Sequence, residues 1–164
     1  MAKRYPVAGC KFFISTAAMD EPDETLDATA FTAITWTEVK NWKEMGSIGD
    51  AAQVITDQII GDARDHKALG TKNAGSMQNL FSNDPTDAGQ QALVNAAGTN
   101  VNYGFKLEMN DKPATGSSPK NSLRYFVGLV ATAQETGGTA NNIRSLSATI
   151  EINSKIVRVA ASAS

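Results

Sequence analysis

His66–Phe81, HKALGTKNAGSMQNLF, followed closely by Asp84–Gly98, DPTDAGQQALVNAAG, decides the architecture of this chain. The first run reads as a hairpin-like unit punctuated by Gly70 and Gly75. The second carries helix signals at both ends. Asp84 predicts the N-cap, and Pro85 the first helical position, where a missing N–H costs nothing. Asp87 falls in the first turn, where a carboxylate meets the positive end of the helix dipole. Gly98 stands where a left-handed C-terminal cap belongs. Between these ends Ala88, Ala92, Leu93, Ala96 and Ala97 form a narrow stripe of mostly small residues at helical spacing, so a helix over about 84–97 can pack closely on a sheet. Gln90 and Gln91 read as capping and solvated positions.

Outward from this centre the chain reads as short strands. In Val101–Met109 the residues Val101, Tyr103, Phe105, Leu107 and Met109 alternate with Asn102, Gly104, Lys106 and Glu108, the pattern of a strand with one buried face. Leu123–Ala133 is apolar on both parities, which predicts a central strand. Leu146, Ala148, Ile150 and Ile152 share one face of a further strand, and Asn153-Ser154 turns into Lys155–Ala160, so the C-terminal half predicts an antiparallel meander. Phe31–Val39 and Gln53–Ile60 suit strands by their Thr, Ile, Val and Trp content. Lys43–Ala51, with Gly46 and Gly49, predicts a mobile loop, and Asn110–Asn121, with Pro113, Gly116 and Pro119, a flexible surface excursion. The fold class is therefore mainly β (α+β), an antiparallel sandwich or barrel with one packed helix. It forms a single domain over 1–164 with a flexible N-terminal segment to about residue 28.

Composition narrows the function classes. With 164 residues, 41% hydrophobic and 20% charged, the chain fits one domain and one core. A net charge of -2 gives no global drive toward nucleic acid. Cys10 is the single cysteine, which excludes an intrachain disulfide and suits a reducing cytosol. The basic start, MAKRYPVAGCKFFISTAAMD, has an apolar stretch too short and broken for a signal peptide or membrane span. The acidic run Asp20, Glu21, Asp23, Glu24 and Asp27 reads as a solvated loop. His66 is the only histidine, and beside Asp62 and Asp65 it lacks the three or four convergent ligands of a zinc site. No Gly-x-Ser-x-Gly elbow is present. Gly137-Gly138 lacks the spacing, Lys and following helix of a phosphate-binding loop. Trp36 and Trp42 read as packing residues. No enzyme chemistry, metal or cofactor is expected.

The ordered set Trp36 through Val39, Gly46 with Gly49, Val54 through Thr56, Lys67 with Leu69 or Gly70 and Gly75, Asp87 with Gly89 and Gln90, Tyr103 with Phe105, and Phe126 with Gly128 and Val130 resembles the major tail tube protein of long-tailed, siphovirus-type bacteriophages. That family belongs to a wider superfamily with type VI secretion tubes. The resemblance covers roughly Phe31 to Val159 and rests on the order of the pieces, with Leu69 and Gly70 adjacent where the pattern commonly spaces them. No appended immunoglobulin-like domain is expected. The resemblance implies a structural virion protein whose hexameric rings join sheets edge to edge into a β-barrel around a lumen. The rings stack through the long loop, here Lys43, Glu44, Met45, Gly46, Ser47, Ile48, Gly49 and Asp50, which would order on stacking. The implied partners are other copies of the chain, a tail tip or baseplate initiator, a tape measure protein, a tail terminator, and double-stranded DNA that passes without tight binding. The implied location is the virion tail, assembled in the host cytoplasm, with no membrane partner. A neutral or acidic lumen wall would let DNA slide, and Asp50, Asp57 and Asp62 are the candidates, with outward-facing solubilising charges as the open alternative. Asp84, Pro85, Asp87, Gln90 and Leu93 are the helix cap and packing residues. Two other readings stand beside this one: the inner tube of a related injection machine, and a monomeric β-barrel ligand-binding module.

Overall fold

The computed structural model describes residues 2–164. Ten strands and one α-helix follow the chain: β1 Lys11–Ala18, β2 Trp36–Val39, β3 Trp42–Glu44, β4 Ala51–Asp57, β5 His66–Asn73, β6 Ser76–Ser82, α1 Ala88–Ala96, β7 Asn102–Glu108, β8 Leu123–Thr136, β9 Ser145–Ile152 and β10 Val157–Val159. A 3-10 turn at Ala28–Phe31 precedes β2. Eight strands form one sheet in the order β2-β1-β7-β8-β9-β6-β3, with β10 also paired to β8, while β4 and β5 form a separate two-stranded ribbon. All pairings are antiparallel.

The alternation read in the sequence fixes the register. Phe105 and Leu107 of β7 and Phe12 and Ile14 of β1 fill the same interior, because Phe12 pairs with Leu107 and Ile14 with Phe105. The sheet curls, bringing its far edge across that interior. The Phe12 ring stacks on Phe105 at 5.8 Å and also meets Phe81 of β6 at 5.9 Å and Trp42 of β3 at 5.4 Å. Leu93 and Ala96 of α1 close one side. β8 is apolar on both parities because it serves two cores. Phe126 faces the main interior, whereas Val127 packs with Phe31 and Val157 beneath a smaller cluster outside the sheet. There Phe31 stacks on Tyr125 at 4.8 Å. The fold is thus a mainly antiparallel β-sandwich with one helix packed on it.

Four expectations change. The hairpin-like run is no hairpin: β5 turns back onto β4, and β6 pairs β9 and β3. Each segment finds its partner elsewhere because Met77, Asn79 and Phe81 of β6 alternate toward the core, while β5 buries almost nothing. The helix starts at Ala88 with Asp87 as its N-cap. Asp84 instead closes the turn before it, accepting from the Thr86 N–H at 3.0 Å and its hydroxyl at 2.7 Å, so Pro85 sits in that turn and not at the first helical position. Gly98 does take a positive φ of 73°, but its N–H goes to the Val130 carbonyl of β8. The N-terminal segment supplies β1, a sheet strand with Phe12 and Ile14 fully buried. The C-terminal strand β10 leaves the meander to pair with β8.

Candidate functional site

Most of the body is closed by packing, and its most exposed element is the ribbon β4–β5. Every residue of Ala51–Asp57 and His66–Asn73 is exposed apart from Ala52 and Gly70. The two strands contact each other and no other element to any extent. At 3.2–3.4 Å per residue the ribbon reaches about 20 Å from the body. An isolated two-stranded ribbon is marginal in water, and this one exposes Val54, Ile55, Ile59, Leu69 and a completely exposed Ile60 at its turn. Clustered exposed aliphatics of this kind mark an interaction surface.

The turn Gln58–Asp65 is held by polar contacts. The Gln58 amide donates to Asp65 Oδ1 at 3.2 Å, and His66 Nε2 lies 2.8 Å from Asp62 Oδ2, the one side-chain ion-pair geometry among the described residues. Asp57 pairs across the ribbon with His66. The sequence cluster Asp62, Asp65 and His66 is therefore a solvated turn, and among the described residues no group of three or more His, Cys, Asp or Glu could hold a metal ion. Asp57 and Asp62 both lie on the ribbon, whereas Asp50 lies at its base beside Lys72 in a recess of about 350 Å³.

The segment Lys43–Asp50 divides into a docked part and a tether. Lys43 and Glu44 belong to β3 on the edge of the sheet. Met45 and Ile48 pack against the core. Asn79, buried in β6, accepts from the Gly46 N–H at 3.1 Å and the Trp42 indole N–H at 3.2 Å. A Cβ on Gly46 would lie 2.4 Å from the Gln78 carbonyl oxygen, so this stretch lies flat on β6. Ser47, Gly49 and Asp50 lead from there to the ribbon. The projecting element starts where the sequence reading placed an ordinary strand. Loop Asn110–Asn121 is also fastened: Asp111 accepts from the Ser122 N–H at 2.7 Å, and Lys120 pairs with Ser162.

The helix start is a three-way clamp. Asp87 Oδ2 accepts from the Gln90 N–H at 3.0 Å and from the Lys40 N–H beyond β2 at 3.1 Å. The buried Gln90 amide donates to the carbonyls of Lys40 at 3.0 Å and Ser82 at 2.9 Å, and its oxygen accepts from the Asp84 N–H at 2.9 Å. One side chain thus satisfies the ends of β2 and β6 and the turn before α1, groups that burial would otherwise leave without partners. Gly89 permits it, because a Cβ there would stand 2.2 Å from the Glu38 carbonyl oxygen. Gln90, read from sequence as a capping or solvated residue and grouped with the helix cap and packing residues, is a structural clasp. Its signal was the neighbouring Gly89, a glycine in the first helical turn that costs propensity unless a close approach requires it. Asn79 had no comparable signal.

Beside α1 lies a cleft of about 370 Å³ lined by residues including Pro85, Val94, Glu135 and Leu146. A smaller recess of about 180 Å³ is walled by Tyr5, Val7, Cys10, Met45 and Met109.

No protein-family model matches the chain. No curated protein matches it. Solved structures do. The chain is similar to the SPP1 tail tube, at 13% identity over 94% of this chain and 80% of that one, with a TM-score of 0.66. A chain of the anti-feeding prophage baseplate matches at 8% identity over 96% and 98%, with a TM-score of 0.62. One from the anti-feeding prophage cap, which terminates its tube, matches at 13% identity over 98% and 95%, with a TM-score of 0.61. At these identities the likeness is one of fold, and the fold is that of tail tube proteins.

Proposed function

We propose that this chain is the self-assembling structural subunit of a phage tail tube. The observation that carries the reading is a two-stranded arm with five exposed aliphatics on a body of tail tube fold. In this reading the subunits form hexameric rings, with β2 and β3, the two edges of the main sheet, supplying lateral contacts. The arm stacks each ring on the next, and the lumen conducts the genome on its way into the host. Lys43–Asp50 is then the tether that aims the arm, and Asp57 and Asp62 travel with it. A tail tip or baseplate initiator, a tape measure protein and a terminator complete the tail, and DNA passes without being held. The virion tail is the site of action, after assembly in the host cytoplasm. The role is structural, not enzymatic. Filling of the curled sheet by Phe12, Phe81, Phe105 and Phe126 supports a packed scaffold over a ligand-binding barrel.

The aliphatics of the arm are together exposed by the equivalent of about three whole side chains. At ~1.5–3 kcal/mol per buried side chain, covering them contributes ~5–10 kcal/mol. Fixing a subunit costs an amount of similar size, so rings should stack only when several arms engage together. Negative-stain electron microscopy over a concentration series tests this: the wild-type chain gives hollow tubes with a regular repeat, and Ile60→Ser with Leu69→Ser gives rings or single subunits. Tubes of normal length from that double variant would remove the arm from the mechanism. A second reading, the inner tube of a related injection machine, is favoured by the two anti-feeding prophage matches. Co-expression with the sheath protein of such a machine tests this second reading, since tubes that stay bare would count against it.

A further inference from the structure

Two arginines stand side by side where β8 meets β10. Arg124 pairs directly with Arg158. Directly opposite residues of an antiparallel pair hold their Cβ atoms about 4.5–5.5 Å apart on one side of the sheet, and like charges in that relation destabilise the pairing. Neither guanidinium forms an ion pair among the described residues. Each carries a planar fork of N–H donors, and the one hydrogen bond made from either fork among the described residues runs from Arg124 Nη1 to the Leu123 carbonyl at 2.9 Å. Burial, and then the Arg158 charge, lower the Arg124 pKa from its ordinary value, with Asp111 pulling the other way. Asp111 itself is engaged by the Ser122 N–H at 2.7 Å and hydroxyl at 2.6 Å. The pair is thus a preformed anion site that its own subunit does not neutralise.

The chain carries one run of carboxylates of matching size. Asp20, Glu21, Asp23, Glu24 and Asp27 are all exposed. Asp20, Glu21 and Glu24 enter no ion pair among the described residues, and Lys155 reaches the run but donates to the Glu24 carbonyl at 2.9 Å. The run has a fixed shape. The Thr25 and Thr29 N–H groups donate to Asp23 and Asp27, and Leu26 packs against the outer cluster of Phe31 and Val157. That position is on the wrong side of the sheet for its own arginines. Val157 faces the outer cluster, so Arg158, the next residue, points to the opposite side. Arg124 alternates in the same way with Tyr125, which stacks on Phe31. The β8–β10 pair therefore stands between the two patches, and they meet only across two copies.

Resting on the assembly reading above, we infer that the Arg124 and Arg158 pair of each copy receives the acidic run at residues 20–27 of a second copy. A planar guanidinium takes a carboxylate through two parallel hydrogen bonds, and closing the contact removes water that would otherwise weaken the attraction. A nucleic acid strand is the poorer partner. Two cations neutralise too few phosphates to hold it at ordinary salt, and the net charge of -2 adds no further attraction. The contact is heterologous: each copy gives its arginines to one neighbour and its acidic run to another, so copies add head to tail. The repulsion that the arginines carry in a lone subunit is relieved on assembly.

Full-length variants are compared by electron microscopy over a concentration series and, below the assembly concentration, by urea denaturation. Arg158→Gln removes one of the two like charges. It should leave the urea midpoint of the subunit unchanged or higher while raising the concentration needed for assembly by about tenfold or more. A variant weakened in both assays makes the arginines internal supports and overturns the inference. Arg158→Glu should impair assembly, as should Asp20→Lys with Glu21→Lys, and the chain carrying all three changes should assemble within about threefold of the wild-type concentration. A triple variant no better than either parent overturns the pairing. Assembly of Arg158→Glu at the wild-type concentration overturns it as well, and if that variant also loses retention of double-stranded DNA on a filter, the arginines are a phosphate site instead. A wild-type chain that stays single at every concentration overturns the assembly reading together with this inference.

Discussion

Replacing Gly89 by alanine sets two physical effects against each other. Helix propensity alone makes Gly→Ala stabilising by up to ~1 kcal/mol, the helix-interior value, and by less in the first turn, where Gly89 lies. Here the added Cβ would stand 2.2 Å from the Glu38 carbonyl oxygen and 2.6 Å from the Val39 Cα, where ordinary contact begins near 3.4 Å. Both obstacles are backbone, so no side chain can swing aside, and α1 must retreat from β2 by about 1 Å. The Lys40 N–H to Asp87 bond of 3.1 Å and the Gln90 amide to Lys40 carbonyl bond of 3.0 Å span that same gap. Both would stretch beyond hydrogen-bond length. Losing two bonds of ~1 kcal/mol each, with ~1–3 kcal/mol of overpacking and at most ~1 kcal/mol of propensity gain, leaves a net loss of ~2–4 kcal/mol. Urea denaturation of the monomeric chain, followed by tryptophan fluorescence, measures it as a fall in midpoint at unchanged slope. An alanine variant as stable as the wild type, or more so, would refute the close approach and with it the clamp.

Gln90→Leu keeps the volume but leaves the Lys40 and Ser82 carbonyls and the Asp84 N–H without partners, so it should cost ~2–4 kcal/mol in the same assay, and a loss below ~1 kcal/mol would mean water replaces the amide. Acid should weaken the fold in a defined window. Hydrogen bonds from the side chains and backbone N–H groups of Thr25, Thr29 and Thr86 hold Asp23, Asp27 and Asp84 below the ordinary 3.8. At Asp111 burial pushes upward, but the Ser122 bonds outweigh it and the net direction is again down. A carboxylate depressed in the folded state leaves the unfolded chain to take up the proton first. The stability it contributes is therefore complete above 3.8 and is lost as pH falls through the lower folded values. Thr29→Val should flatten part of that decline in urea midpoints measured from about pH 6 to about pH 2, and an unchanged slope would exclude the Asp27 contribution.

The sequence made the sheet interior legible because one-sided burial writes itself as alternation. Phe105 and Leu107 announced their face, and the two-parity run around Phe126 and Val127 announced a strand between two clusters. Helix existence was equally plain. Its start was misplaced by three residues because Asp84 and Asp87 are both followed by residues that accept capping, and only the tertiary bond from Lys40 selects Asp87. Pairing partners were hidden for another reason. β5 and β6 are adjacent in sequence and separated by Ala74-Gly75, a hairpin signal by every local rule, yet burial of Met77 and Phe81 draws β6 into the sheet while nothing draws β5 after it. Val54 and Ile55 were read as strand residues, and β4 is a strand, but nothing in their local sequence says that this strand leaves the body and stays exposed. Gln90 was placed at the helix cap, but its bonds to Lys40 and Ser82 were hidden, since a polar residue whose partners are distant in sequence has no composition signal.

The brevity of the join between β5 and β6 also has a mechanical meaning. Asn73 of the arm is separated from Ser76 of the sheet by two residues, and the turn is fixed by the Gly75 N–H donating to Asn73 Oδ1 and by the Gly75 carbonyl accepting from Ile152. Tension along β5 therefore passes into β6 through a join of only two residues. From Ser76 opposite Glu151 to Ser82 opposite Ser145, the β6–β9 ladder meets the component of that tension along β6 side-on, with its hydrogen bonds perpendicular to the strand. Shear loads all these bonds at once, whereas peeling would open them singly. In the assembly proposed above, a tube stretched along its length would then yield first at its contacts between subunits, before the β6–β9 ladder opens.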